Sequence, residues 1–403
     1  MELTEDLLFQ NELYRVMKSG KREGKTNTMA SEDGDPYLLT PGPLTTSTSV
    51  KRATLHDYGS RDEKLIRINQ GICECLLELV QAKQTHSCVP IQGSGTFAVE
   101  AMIGSLVPRQ GKVLVLVNGA YGHRIAEICR YLARDFLVEE WPENEAVEAL
   151  KVEQILKDDT EISHVTIVYC ETTSGLLNPL EEVATVVAEQ GRALLIDAMS
   201  AFGALPINAR SLPFTALAAS SNKCLQGIPG MGFCIVLREM LKTCEGNAHS
   251  LSLDLYRQAT GFEQNGQWRF TPPVQCLLAL EQALKELQEE GGVEARYQRY
   301  SENCRILKRA MQEMGFECYL QDDLQAPIIV TFKLPTVDGF DFGKLYHSLS
   351  DKGFIIYPGK ITREQTFRIG CIGAISSTQM QAAVDAIKGS LAELGWPGLE
   401  TVG

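Results

Sequence analysis

From Tyr37 onward, short runs of aliphatic and β-branched residues alternate with longer stretches in which apolar positions recur at helical spacing. KVLVLV (112–117), HVTIVYC (164–170), RALLIDA (192–198), ALAAS (216–220) and FCIVL (233–237) read as strands, and helical patterns near 121–134 and 179–190 lie between the first three. These runs are apolar at nearly every position rather than at every second one, so both faces of each strand need covering. That predicts an α/β fold with a mainly parallel sheet between layers of helices. Helical patterns continue over 274–314. APIIVTFKL (326–334), IIYPG (355–359) and TFRIGCIG (366–373) then read as strands, and a last helix sets Met380, Val384, Ile387, Leu391 and Leu394 on one stripe. Strands and helices interleave less regularly here, which predicts a smaller α+β domain. The expected division is an N-terminal extension over 1–36 (a short helical pattern, then a polar tract), a large domain over 37–290 and a small C-terminal domain over 291–403.

Composition narrows the function. A chain of 403 residues with 44% hydrophobic content supports a large buried core. Its formal net charge of −13 repels nucleic acid and anionic membrane, so neither is an expected partner, and an anionic substrate needs a local basic site. No run approaches the roughly 18 apolar residues of a membrane span, and the N-terminal stretch lacks the basic-then-apolar order of a signal peptide. Twelve cysteines are scattered without a CxxC pair. Cys73 and Cys75 have the wrong spacing for a zinc knuckle, and Cys129, Cys170 and Cys234 sit in apolar runs. They read as buried free thiols in a reducing cytoplasm, not as metal ligands.

Four polar features stand where an open α/β sheet places its ligands, at strand ends. GSGT (93–96) leads into a helical pattern; small residues there let backbone N–H groups approach an anion such as phosphate, although a plain glycine-rich turn has the same look. Asp197 ends an apolar strand, where a carboxylate needs a partner: a protonated pyridine nitrogen, or a structural hydrogen bond. Lys223 lies between the strand ALAAS and a Gly/Pro-rich turn, a context for a nucleophilic amine or for an ordinary surface lysine. Arg368 interrupts an apolar strand and calls for an anion, either a substrate group or an internal carboxylate. Taken together in chain order, the four supply a phosphate cradle, a pyridinium partner, an amine and an anion clamp, the parts a pyridoxal-phosphate enzyme needs. A non-catalytic nucleotide-binding module would use GSGT and leave the other three unexplained.

Through YLLTPGPLTTS (37–47), QGSGTFAVEA (92–101), NGAYGHR (118–124), ETTSGLLNPLEEV (171–183), IDAMSAFGALPI (196–207), SSNKCLQGIPG (220–230), QWRFTPPV (267–274) and FRIGCIG (367–373), the chain resembles the class V aminotransferases over about residues 37–390. The resemblance implies a fold type I transferase with a mainly parallel, seven-stranded sheet in its large domain, pyridoxal 5′-phosphate as cofactor, and a homodimer. It implies that Lys223 attaches the cofactor and shuttles the substrate proton, and that Asp197 keeps the pyridine nitrogen protonated. Ser94, Gly95 and Thr96 bind the phosphate with help from Asn222, Tyr121 stacks on the ring, and Thr172 contacts the ring oxygen. Arg368 binds the substrate's carboxylate and phosphonate. SSNKCLQG, SLSLDLY (250–256) and IYPGK (356–360) resemble the branch that moves an amino group from 2-aminoethylphosphonate to pyruvate; the alternative is alanine–glyoxylate or serine–pyruvate exchange. In one departure, the family's threonine and histidine after the RFT stretch are Val274 and Gln275 here. That threonine reaches the neighbouring subunit's phosphate, and valine cannot donate the bond.

Overall fold

The computed structural model of the chain describes residues 29–336, 340–357, 362 and 364–396. The expected helix over 1–18 and residues 358–360 of IYPGK lie outside them. The chain divides into two compact units, one of residues 46–298 and one that joins the chain before residue 46 to Arg299 and beyond. The sequence pattern had set the divisions near 36 and 290.

The larger unit is built on a seven-stranded sheet in the order His86–Gln92, Met231–Leu237, Ala216–Ser220, Ala193–Asp197, Ile162–Val168, Lys112–Val117, Asp135–Glu140. Met231–Leu237 runs antiparallel to both neighbours, and the other pairings are parallel. The sheet is therefore mainly parallel, as its continuous apolar runs required. Ala216–Ser220 is buried at every position. Lys112–Val117 is buried from Val113 on, with Val113, Val115 and Val117 packed into a core with the helices Gly95–Leu106 and Ala120–Tyr131. Two strands were not legible in the sequence, and they are the two edges. His86–Gln92 carries Pro90, whose missing N–H is tolerated beside a single partner. Asp135–Glu140 is acidic and largely solvated, with no fully buried position.

The other unit is a smaller α+β body. Ile329–Lys333 pairs antiparallel with Thr366–Gly370, and Tyr37–Leu39 pairs parallel with Phe354–Ile356. That second pairing draws the chain's early segment into this unit. Its core gathers Leu39, Phe316, Phe332, Phe354 and Phe367 with the stripe Met380, Val384, Ile387 and Leu391 of the helix Ser377–Glu393. The long helical pattern over 274–314 is two helices, Val274–Glu290 and Gly292–Glu313, broken where Gly291 and Gly292 take φ of 110° and 80°.

Candidate active site

Four of the parallel strands deliver their C-terminal ends to one cavity of about 480 Å³ within the larger unit. After Gln92 comes the turn of the GSGT motif. Gly93 has φ of +128°, and a Cβ there would lie 2.6 Å from Phe97 Cγ, so only glycine fits. Ser94 stands at the N-cap of the helix Gly95–Leu106 with extended backbone, and its hydroxyl does not close the first turn. The N–H groups of Gly95 and Thr96 thus have no partner inside the helix, and the helix end carries partial positive charge. A Cβ on Gly95 would meet Met199 Sδ at 2.4 Å, so the Met199 side chain packs directly against this glycine and leaves no room for a larger residue.

Asp197 ends its strand and is 5% exposed. Its Oδ1 accepts from the backbone N–H of Met199 at 2.9 Å. Burial pushes its carboxyl up to about 6, while that hydrogen bond and the charges of Lys223 and Arg124 pull the other way. Lys223 sits half-buried in the turn between Ala216–Ser220 and Met231–Leu237. The turn is tied to itself: Ser221 Oγ donates to the carbonyls of Ile228 (2.6 Å) and Met231 (3.1 Å), and Gln226 N donates to Lys223 O at 2.8 Å. From outside, the fully buried Arg296 donates to the carbonyl of Cys224 at 2.9 Å and pairs with Glu290. A lysine held by backbone on both sides is aimed, not swinging freely.

Seven residues singled out by sequence line this one cavity: Ser94, Gly95, Thr96, Tyr121, Asp197, Asn222 and Lys223. Thr172 is buried and shares a 2.6 Å hydrogen bond with Ser200, which is on the wall. Arg368 lies in the other unit, 1% exposed in the strand Thr366–Gly370, with its guanidinium 4.7 Å from the Tyr357 ring centre. Val274 opens the helix Val274–Glu290, and Gln275 Nε2 donates to Asp57 Oδ1 at 3.3 Å.

Sequence reasoning missed Arg124. Its guanidinium stacks 4.8 Å over Tyr121, its Nη1 stands 3.5 Å from Thr96 Oγ1, and it lines the cavity. Three residues after Tyr121 on a helix, it emerges on the same face, a spacing that NGAYGHR already contained. Met199 and Ser200, also on the wall, were hidden because only the turn after Asp197 folds them back. Among the described residues no group of His, Cys, Asp and Glu converges as a metal site, and the twelve cysteines are free thiols.

An anion cradle, a buried carboxylate, an aromatic wall and a positioned amine share one cavity. The family model described as aminotransferase class-V matches residues 46–368. A 2-aminoethylphosphonate–pyruvate transaminase of Pseudomonas fluorescens is 52% identical over 360 residues, covering 89% of this chain and 98% of its own. One from Pseudomonas aeruginosa is 50% identical over 366 residues, covering 91% and 99%. Among solved structures, pyridoxamine–pyruvate aminotransferase from Mesorhizobium loti superposes with a TM-score of 0.81 at 23% identity, over 92% of this chain and 96% of that one. An aspartate aminotransferase from Thermus thermophilus gives 0.80 at 21%, over 89% and 99%.

Proposed function

The chain belongs to the class V aminotransferases and is a pyridoxal-phosphate-dependent enzyme of that family; from that premise we propose that it transfers the amino group of 2-aminoethylphosphonate to pyruvate, giving phosphonoacetaldehyde and L-alanine. The observation that carries the choice of substrates is identity of about half, over nearly full length, to relatives that bear that activity in their names.

The cavity fits the cofactor. Its volume lies within the roughly 300–1,000 Å³ of small-molecule sites. The uncapped N-terminus of the helix Gly95–Leu106, which opens on the cavity, suits a phosphate, and the buried Asp197 suits a cationic ring nitrogen, whose charge would offset the cost of ionising that carboxyl. When bound, pyridoxal phosphate supplies an electron-accepting ring conjugated to the reacting carbon. Ser94, Gly95 and Thr96 hold the phosphate, with Asn222 beside them and Arg124 adding charge. Asp197 keeps the ring nitrogen protonated, Tyr121 covers a ring face, and Thr172 works with Ser200 at the ring oxygen. The amine of Lys223 would hold the cofactor, and it is the base placed to take the proton from the donor carbon. Arg368 clamps the carboxylate of pyruvate or alanine and the phosphonate of the other substrate. Donor aldehyde leaves before pyruvate enters, so one site serves both halves of the reaction.

The protein acts as a homodimer in the cytoplasm. Leu251 and Phe270, in stretches shared with the family and bridged by Arg269 Nη1 on Leu251 O at 3.2 Å, leave large apolar side chains exposed, which suits burial against a second copy. The free thiols suit a reducing compartment. Among the described residues no helix is long and apolar enough to cross a membrane. The test of the reaction is a donor screen with pyruvate as acceptor, comparing 2-aminoethylphosphonate, serine and taurine, with alanine tried against glyoxylate. Fast turnover with 2-aminoethylphosphonate alone is expected; preference for serine, or for alanine with glyoxylate, would move the chain to another branch of the family.

A further inference from the structure

Glu171 is wholly buried at the end of the short strand Cys170–Glu171, and none of the roles above uses it. Burying a carboxyl is costly, so a retained one should be bonded to something that needs it. Its Oε1 accepts from Thr173 N at 3.0 Å and from Thr173 Oγ1 at 2.6 Å. Thr173 Oγ1 in turn accepts from the N–H of Ala120 at 2.9 Å. Ala120 is the first residue of the helix Ala120–Tyr131, whose first-turn donors have no partner within the helix. The residue that would normally cap them is Gly119, which has no side chain. A Cβ there would lie 2.4 Å from Glu171 Cδ, so the carboxyl occupies the place a capping side chain would need. The cap of this helix is therefore supplied from another strand.

The helix so capped is the one that sets Tyr121 and Arg124 on the cavity wall. Between Glu171 and Thr173, the hydroxyl of Thr172 bonds Ser200, in the turn that follows Asp197. Three consecutive side chains thus join the Tyr121 helix to the Asp197 turn. We propose that Glu171 is a positioning residue, which caps the helix Ala120–Tyr131 through Thr173 and so fixes Tyr121 at the cofactor. The inference rests on the reading of this cavity as the cofactor site. Burial holds the carboxyl above the usual range, which favours the protonated form and makes glutamine its nearest replacement.

The test uses the full chain stripped of cofactor and reloaded. Dissociation constants for pyridoxal phosphate are measured by fluorescence titration, and ring orientation by visible circular dichroism of the bound cofactor. The variants are Glu171→Leu, Glu171→Gln, Thr173→Val and Tyr121→Leu, with the double variant Glu171→Leu/Tyr121→Leu. Glu171→Leu and Thr173→Val should each weaken cofactor binding roughly 3- to 30-fold, the scale of a lost helix cap, and reduce the circular-dichroism band. Glu171→Gln should restore both. In the Tyr121→Leu background the Glu171→Leu change should cost clearly less than it does in wild type, because of the two wall residues this helix carries only Arg124 is left to misplace. If Tyr121→Leu weakens binding while Thr173→Val and Glu171→Leu do not, or if the two effects simply add, the positioning role falls and the site reading stands. If Tyr121→Leu leaves affinity unchanged, the site reading falls and takes this inference with it. Should Glu171→Leu fail to fold, Thr173→Val and Glu171→Gln decide the matter alone.

Discussion

Asp197→Asn should stabilise the cofactor-free protein while disabling the enzyme. The carboxyl is 5% exposed, and burial lifts it from 3.8 to about 6. Below pH 4 both the folded and the unfolded chain keep the proton, so the group is neutral towards stability. Between about pH 4 and 6 the unfolded chain releases its proton and the folded chain does not, so stability falls as pH rises; above 6 the penalty is constant. At about 1.4 kcal/mol per pK unit, the gap corresponds to about 3 kcal/mol at neutral pH. Asparagine carries no charge and can still accept from Met199 N–H. The cofactor-free variant should therefore melt roughly 3–6 °C above wild type at pH 7.5. That difference should fall to about a third near pH 4.5 and fade out below about pH 3.5. Loaded with cofactor, the order should reverse, since wild type gains the ring-nitrogen partner that asparagine cannot hold protonated. Turnover of the variant should drop by orders of magnitude with a smaller change in KM. The assays are thermal melts across pH with and without cofactor, and steady-state kinetics. A cofactor-free variant no more stable than wild type at pH 7.5, or a gain unchanged at pH 4.5, would show that Asp197 carries no buried-charge penalty and remove the reason for pairing it with a cation.

Lys223→Ala should abolish turnover by several orders of magnitude while leaving the melting curve of the cofactor-free protein near that of wild type, because the side chain serves chemistry rather than the core. Gly93→Ala should cost about 1–3 kcal/mol, read by denaturant titration, since φ of +128° and the 2.6 Å approach to Phe97 both oppose a Cβ. Arg124→Gln should weaken pyridoxal phosphate about tenfold but leave pyridoxal, which lacks the phosphate, unaffected; equal losses for both would assign Arg124 to shaping the wall around Tyr121. Arg368→Lys should slow single turnovers with 2-aminoethylphosphonate and with pyruvate about 100-fold each, because a point charge loses the two-pronged grip that aims the substrate. If only the pyruvate half slows, the phosphonate has its own clamp.

The middle of the sheet was legible because strands covered on both faces leave an uninterrupted apolar run, and Lys112–Val117 and Ala216–Ser220 appear within their expected bounds. The edges were not. Pro90 and the acidic run at 135–140 are what an edge strand tolerates and what a pattern reading rejects. Tyr37–Leu39 shows the other limit. Three residues carry too little pattern to reveal that they pair with Phe354–Ile356 far along the chain. The cavity was readable where chemistry sits at a strand's end, as with Ser94, Asp197 and Lys223. Arg124 and Glu171 stood inside stretches already quoted for the family resemblance, yet their roles depend on where a neighbouring turn returns the chain. A carboxyl replacing the side chain of Gly119 is invisible until two strands are laid side by side.

The central claim is that this cavity takes the amino group from 2-aminoethylphosphonate and keeps it for pyruvate. The direct measurement is a half-reaction without acceptor. Loaded enzyme is mixed with 2-aminoethylphosphonate alone, the cofactor's visible absorption is followed, and released phosphonoacetaldehyde is counted. Loss of the aldehyde-form band with about one product per site, and recovery of the band with alanine formed when pyruvate is added, is the predicted result. An unchanged spectrum with 2-aminoethylphosphonate, in enzyme that responds to alanine or serine, would contradict it.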